Sequence, residues 1–224
     1  AMDSTSSPPR SMSGLSSYKE KQMKQIKIAL IGAGSRSFGP ATIRDILLSE
    51  PLASIGVELV MMDKVADHLG DIERYARHVC EKLGRKAEIR ATTDLPTALQ
   101  DANFVVTAIE VNRFLYWSQD FHVPRKYGFR QIFGENGGPG GLFHALRNMG
   151  PTIEIARTME RLCPEAPLLN YTNPEHKLCE AVTRLTTIEA VGLCHGVFMG
   201  RRQIAHILEM PEETASLPFP VQAL

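Results

Sequence analysis

The sequence has no excess of charge of either sign: 25 Lys and Arg face 25 Asp and Glu. That balance gives no electrostatic reason to expect nucleic acid or an anionic membrane as a partner. No apolar run approaches the ~20 residues that a membrane-spanning helix needs. Cysteines are few, four in 224 residues (Cys80, Cys163, Cys179 and Cys194), and none form a C-x-x-C pair. With no secretory context, reduced thiols in a cytoplasm are the expectation. The first three sit in apolar helical or helix-end patterns and read as buried filler. The opening stretch also lacks the apolar core and cleavage site of a secretory signal. AMDSTSSPPRSMSGLSS is rich in Ser, Pro and Gly, so residues 1–25 read as a disordered tail beginning with a tag scar.

Beyond residue 25, at least five β-type runs alternate with helical ones. QIKIALIGAGS saturates with aliphatic residues before a glycine turn, which predicts a fully buried parallel strand over Ile26–Ile31. VELVMMD, AEIRATTD, ANFVVTAIE, APLLNYTNP and IEAVGLCHG predict five more strands. Between them, FGPATIRDILLSE, KVADHLGDIERYARHVCEKLG, GPTIEIARTMERLCPE and EHKLCEAVTRLT have helical spacing, and Asp94 can cap a short helix. The alternation predicts an α/β fold, a doubly wound parallel sheet of Rossmann-like type. From Asn112 to Leu142 no clean strand or helix is visible. That segment holds the one Trp and the glycine-rich run FGENGGPGGLFHALR. Long irregular segments in compact domains are usually functional.

IGAGS ends a strand and precedes a helix, the context of a phosphate-binding turn. Gly32 permits the turn, Gly34 lets backbone approach a pyrophosphate, and Ser35 adds a hydroxyl. The G-x-G-x-x-G pattern is incomplete, because Ser37 stands where its third glycine would. Asp63 ends the second strand, further on than the ~20 residues usual for an acid that binds ribose hydroxyls. It fits NAD better than NADP; a plain strand-end cap is the alternative.

Asn170 and Asn173 lie where the fifth strand ends, the edge at which such sheets bind ligands. Asn173 precedes a proline and either presents its amide from a rigid turn or simply starts that turn. Cys194 and His195 end the sixth strand and so belong to the same rim. A thiolate can hold a divalent ion. Neighbours on a strand point to opposite faces, so one metal ligand beside one proton-handling residue is the sensible division. Local sequence alone favours a buried structural cysteine beside a solvent-facing histidine.

Taken in order, KIALIGAGS, VMMD, TTDLPTALQDANFVVTAI, DFHVPRKYG, GENGGPGGLFHALR, CPEAPLLNYTNP and VGLCHG resemble glycoside hydrolase family 4, the NAD- and manganese-dependent glycosidases. The resemblance runs from about residue 27 to residue 200. It implies NAD and Mn2+ (or another divalent ion) as cofactors and a redox-assisted elimination. NAD takes hydride from carbon three of the sugar, a tyrosine removes the proton on carbon two, the aglycone leaves, water adds and the hydride returns. It assigns Gly32, Gly34, Ser35, Asp63 and Asn173 to the cofactor, Asn173 also to the sugar, and Cys194 to the metal. His195 matches the general acid of some members, and Glu135 the acid that raises the basicity of the tyrosine. Asp120 and Arg147 match polar positions near the substrate.

Members that act on 6-phosphorylated sugars carry an Arg three residues before the Asp of D-x-x-x-P; here that position is Trp117. A non-phosphorylated glycoside is therefore expected, with Trp117 stacked on a sugar or aglycone face or, alternatively, serving as a bulky core residue. The CHG motif favours an α-linked substrate. The family's second metal histidine and tyrosine base come downstream of Leu224. FPVQAL reads as the lead-in to that histidine, so residues 26–200 are expected to form the NAD-binding domain and 201–224 the start of a truncated catalytic domain. Such a chain would bind NAD without turnover, and the longer enzyme would be a cytoplasmic homo-oligomer. Two alternatives share the sheet: a 2-hydroxy-acid dehydrogenase of the lactate/malate type, and an NAD-binding module without activity.

Overall fold

The structure, a computed structural model, describes residues 25–211. The expected tail before residue 25 and the FPVQAL stretch lie outside the described residues. In chain order the elements are β1 Ile26–Ile31, α1 Phe38–Leu48, α2 Glu50–Ile55, β2 Val57–Met62, α3 Ala66–Leu83, β3 Ala87–Thr92, α4 Leu95–Leu99 and β4 Phe104–Thr107. Then follow α5 Arg113–Lys126, α6 Gly138–Leu162, β5 Leu168–Asn170, α7 Glu175–Leu185, β6 Ala190–Gly192 and α8 Gly196–Ile207.

The six strands form one sheet in the order β3-β2-β1-β4-β5-β6, and every pairing is parallel. This is the doubly wound arrangement that the alternation predicts. Its central strands are covered on both faces. Ile28 and Leu30 pack with Ile43 of α1 and Ile72 of α3, while Ala29 and Ile31 pack with Ile155 and Met159 of α6. A strand buried on both faces does not keep up polar alternation, which is why β1 and β2 are apolar throughout after Lys27 and Glu58. Asp94 caps α4, its carboxylate accepting from the Thr97 N–H at 2.8 Å. Gly84 closes α3 in the left-handed conformation, φ +61°. Among the described residues no helix is long and apolar enough to cross a membrane.

Three expectations need correction. The segment 112–142 is largely helical: α5 occupies Arg113–Lys126, and α6 begins at Gly138, well before the predicted helix start. The reason is an inverted pattern. The buried residues of α5 are Asp120 and Pro124, and the buried positions at the start of α6 include Gly140, His144 and Asn148, while Phe114, Leu115, Leu142, Phe143 and Leu146 are exposed. A search for an apolar stripe at helical spacing finds none facing the core. Second, Ser49 ends α1 and caps a separate short α2, accepting from the Leu52 N–H at 3.4 Å. Third, β6 stops at Gly192, so Cys194 and His195 lie beyond the strand. The alternation of side chains along a strand does not govern them. His195 is the N-cap of α8, which continues through residue 200.

Candidate active site

The strand order reverses between β1 and β4, and ligands of such sheets bind outside the C-terminal strand ends at this switch point. Gly32 sits there with φ +84° and donates its N–H to Met62 O at 2.8 Å. Gly34 donates to Asp63 Oδ2 at 2.9 Å, and Val65 donates to Asp63 Oδ1 at 3.0 Å. Asp63 therefore ties the glycine turn of β1 to the exit of β2. Each carboxylate oxygen keeps a lone pair for a ligand. Ser35 Oγ accepts from the Phe38 N–H at 3.3 Å, at the start of α1. The third glycine is not missing but displaced: a Cβ on Gly39 would stand 2.1 Å from Ala33 O. Gly39 thus lets the first turn of α1 close onto the glycine turn after β1, two residues later than the third glycine of the usual pattern.

On the other side of the switch point, Asn170 is a buried structural knot. Its Oδ1 accepts from Thr107 Oγ1 and the Thr172 N–H, each at 3.0 Å, and its Nδ2 donates to Thr172 O at 3.0 Å. This fixes the turn that carries Asn173, whose peptide bond to Pro174 is cis. Asn148 Nδ2 donates to Asn173 O at 3.2 Å. Among the described residues the Asn173 side-chain amide has no hydrogen-bond partner, so it is available to a ligand. Cys194 is exposed, unlike Cys80 and Cys163, which are buried, and Cys179, which is half-buried. Local sequence favoured a buried cysteine; the loop after β6 instead leaves the sulfur at the rim. Its Sγ accepts from the Gly196 N–H at 3.3 Å. Among the described residues no three His, Cys, Asp or Glu side chains gather as a metal site. His195 is exposed.

Between β4 and these turns, α5 and α6 build a buried charge network. Arg147 binds Asp120 with two parallel hydrogen bonds, 2.9 and 2.8 Å, and lies over the Tyr116 ring at 4.5 Å. That pair keeps the guanidinium firmly protonated, against a smaller effect of burial. His144 has no exposed surface and places Nδ1 3.0 Å from Asp120 Oδ2. Its Nε2 is 3.1 Å from Glu110 Oε1, at ion-pair distance though off the line of an aligned hydrogen bond. Burial works against the imidazolium, but the two carboxylates outweigh it and the histidine's pKa is raised. Glu110 shows the converse: burial favours its neutral form, yet His144, Asn148 and Arg113 hold it below the usual carboxylate range. Trp117 is half-buried, donates its indole N–H to Glu135, and carries Arg113 5.3 Å from its ring centroid. Trp117 and Glu135, predicted for different roles, form one unit. Glu110, His144, Asn148 and Gly39 escaped the sequence reading. For His144 and Asn148 a signal existed: with Gly140 and Thr152 they recur every four residues, a small-and-polar stripe on a buried helix face.

The charges set a pH dependence. His144, with its pKa raised above the ordinary 6.5, stabilises the fold fully below that value and less as pH rises through its folded pKa. Glu110, lowered from 4.5, stabilises fully above that value and less as pH falls through its own. The pair's contribution should be complete between about pH 4.5 and 6.5. Urea midpoints of the chain and of a Glu110→Gln/His144→Gln variant should differ most in that window. A difference that grows above pH 7 would contradict the assignment.

Comparison with known proteins decides the class. A family model described as family 4 glycosyl hydrolase matches residues 27–210. The chain belongs to that family. It is 39% identical over 193 residues to an α-glucosidase of Erwinia rhapontici, covering 85% of this chain and 42% of that protein. It is 35% identical over 188 residues to an α-galactosidase of Bacillus subtilis (strain 168), covering 84% of this chain and 43% of that protein. A solved 6-phospho-β-glucosidase from Thermotoga maritima, with manganese, NAD+ and glucose-6-phosphate, superposes with a TM-score of 0.69 at 25% identity, covering 84% of this chain and 44% of that one. This family 4 chain thus spans about two-fifths of the length of the relatives it matches.

Proposed function

We propose that this chain carries the NAD-binding side of a family 4 glycosidase that works by oxidation, elimination and addition on a non-phosphorylated, α-linked glycoside. One observation carries the reading: the Gly32–Gly39 turn, Asp63, Asn173 and the exposed Cys194 all lie on the C-terminal edge of one parallel sheet. Cys194 follows a strand three places from β1, about 14 Å across the sheet. The donor chemistry fits both groups. The turn leads into the N-terminus of α1, which suits a pyrophosphate, and a rim thiol with free lone pairs suits one position on a divalent ion.

In this reading the Gly32 turn holds the pyrophosphate and Asp63 accepts from ribose hydroxyls while keeping the turn in place. Asn173 offers its unpartnered amide to nicotinamide and sugar. Asp120 and Arg147 orient polar groups of the substrate, and Glu135 takes part in the proton chemistry. His195, exposed on the same rim, protonates the leaving oxygen. Cys194 would hold the metal. When bound, the dinucleotide supplies reversible hydride transfer and the ion polarises a sugar carbonyl. Support for a non-phosphorylated sugar comes from Trp117, whose indole engages Glu135 where an arginine would present charge to a phosphate.

The test uses Cys194→Ser. Manganese binding, followed by the electron paramagnetic resonance of the free ion with NAD present, should weaken at least ~10-fold. NAD affinity, followed by calorimetry, should stay within about twofold. Unchanged manganese affinity would remove the metal from this edge. Loss of NAD binding would mean that the substitution acts on the fold.

A further inference from the structure

The chemistry proposed above gives no task to His144, yet this side chain sits at the centre of the buried network. Both ring nitrogens face carboxylate oxygens, Asp120 Oδ2 at 3.0 Å and Glu110 Oε1 at 3.1 Å. An ionised carboxylate only accepts, so a neutral ring would set a lone pair against one of them. With both carboxylates ionised, these contacts favour a ring that carries both protons. Such a ring is a cation without exposed surface, joining α6 to Asp120 on α5 and to Glu110 at the exit of β4. Two further cations face the same carboxylates: Arg147 binds Asp120, and Arg113 pairs with Glu110 Oε2 at 2.9 Å.

The contacts continue in both directions. Glu110 Oε1, the oxygen facing His144, also accepts from Asn148 Nδ2 at 3.2 Å, one turn along α6. The same Nδ2 donates to Asn173 O at 3.2 Å, and Asn148 Oδ1 accepts from the Val111 N–H at 3.1 Å. Glu110 thereby orients the Asn148 amide, which holds the Asn173 turn. On the opposite side, Asp120 Oδ2 is shared between His144 and Arg147. We propose that His144, as a buried imidazolium, is a positioning residue that couples the Asp120–Arg147 pair to the Asn173 turn, and so fixes the nicotinamide and sugar side of the site. The functional part of this proposal rests on the family 4 reading of Asn173; the coupling itself does not. Losing the ring's charge would free Glu110 Oε1 to shift, and the Asn148 amide with it.

The experiment compares the chain with Asp120→Asn and with Asp120→Asn/His144→Gln. In the unaltered protein two carboxylates hold the ring charged, so NAD affinity should vary less than about twofold from pH 6 to 9. In Asp120→Asn one carboxylate is gone and the ring titrates nearer neutrality. NAD affinity should then fall about three- to tenfold as pH rises through that range. The double variant should bind weakly and without that inflection. A role in packing alone would lower affinity equally at every pH. A flat profile in Asp120→Asn, or an inflection that persists in the double variant, would overturn the proposal. Nitrogen-15 spectra of the ligand-free chain decide the coupling separately. Both ring nitrogens of His144 should be protonated at pH 8 in the unaltered protein, and the Asn173 backbone amide of Asp120→Asn should shift with the midpoint of the ring. A ring with one protonated nitrogen at pH 8, or an Asn173 resonance that ignores it, sinks the idea. If NAD fails to bind the unaltered chain, the cofactor reading is wrong, and these spectra still test the positioning.

Discussion

Asp120→Ala is expected to destabilise the chain by about 3–5 kcal/mol, the cost of removing one partner from a buried charge network. Asp120 is 5% exposed and answers two cations, Arg147 through paired hydrogen bonds and His144 through Nδ1. Truncation leaves the partly exposed Arg147 without its paired acceptor and the fully buried His144 with Glu110 alone. Removal of a surface partner would cost less than about 1 kcal/mol, so the two cases are well separated. Equilibrium urea unfolding reads the difference as a shift of midpoint at constant slope. Asp120→Asn keeps an acceptor for Arg147 and should fall between them. A loss below 1 kcal/mol for the alanine variant would mean that the cations find other acceptors, and that Asp120 does not organise this part of the molecule.

Gly39→Ala should also be costly, for a different reason. The added methyl would stand 2.1 Å from Ala33 O and 3.5 Å from the Ile72 side chain. The first neighbour is backbone and cannot rotate aside, so α1 must move away from the glycine turn. Overpacking of this kind costs roughly 1–3 kcal/mol. It also displaces the helix N-terminus that the cofactor's phosphates would meet, so NAD affinity should drop more than ~10-fold even in molecules that remain folded. Calorimetry with NAD on the folded fraction, beside a thermal melt, separates the two effects. A stable Gly39→Ala protein with unchanged affinity would show that the turn tolerates a looser helix and that the substitute for the third glycine lies elsewhere.

What could be read from the sequence follows from how each segment meets the core. β1, β2 and the glycine turn were legible because a central parallel strand must be apolar on both faces, and apart from Lys27 and Glu58 near their starts, Ile26–Ile31 and Val57–Met62 are. Asp94 and Gly84 were legible because caps depend on local chemistry alone. The placement of Asp63, Asn173 and Cys194 followed from strand ends. Their partners did not. Nothing in a one-dimensional pattern says that Asp63 is occupied by two backbone N–H groups, or that Glu135 accepts a hydrogen bond from the Trp117 indole. Helix α5 and the first turns of α6 were hidden because their inward faces are polar. Periodicity rules look for leucines against a core, and here Asp120, His144 and Asn148 hold that place. The shortness of β6 was hidden too, since VGLCHG continues its apolar character past the last paired residue, Gly192.

The inverted start of α6 has one more consequence. Its first turns keep imidazole and amides dry while Leu142, Phe143 and Leu146 stand about 60% wet on the outside. Oil at the surface and charge in the interior is the arrangement that collapse of this chain would least favour, so these turns are not expected to nucleate its folding. They should assemble late, after the sheet has formed, and their amides should be among the first to trade hydrogen for deuterium when the native molecule breathes.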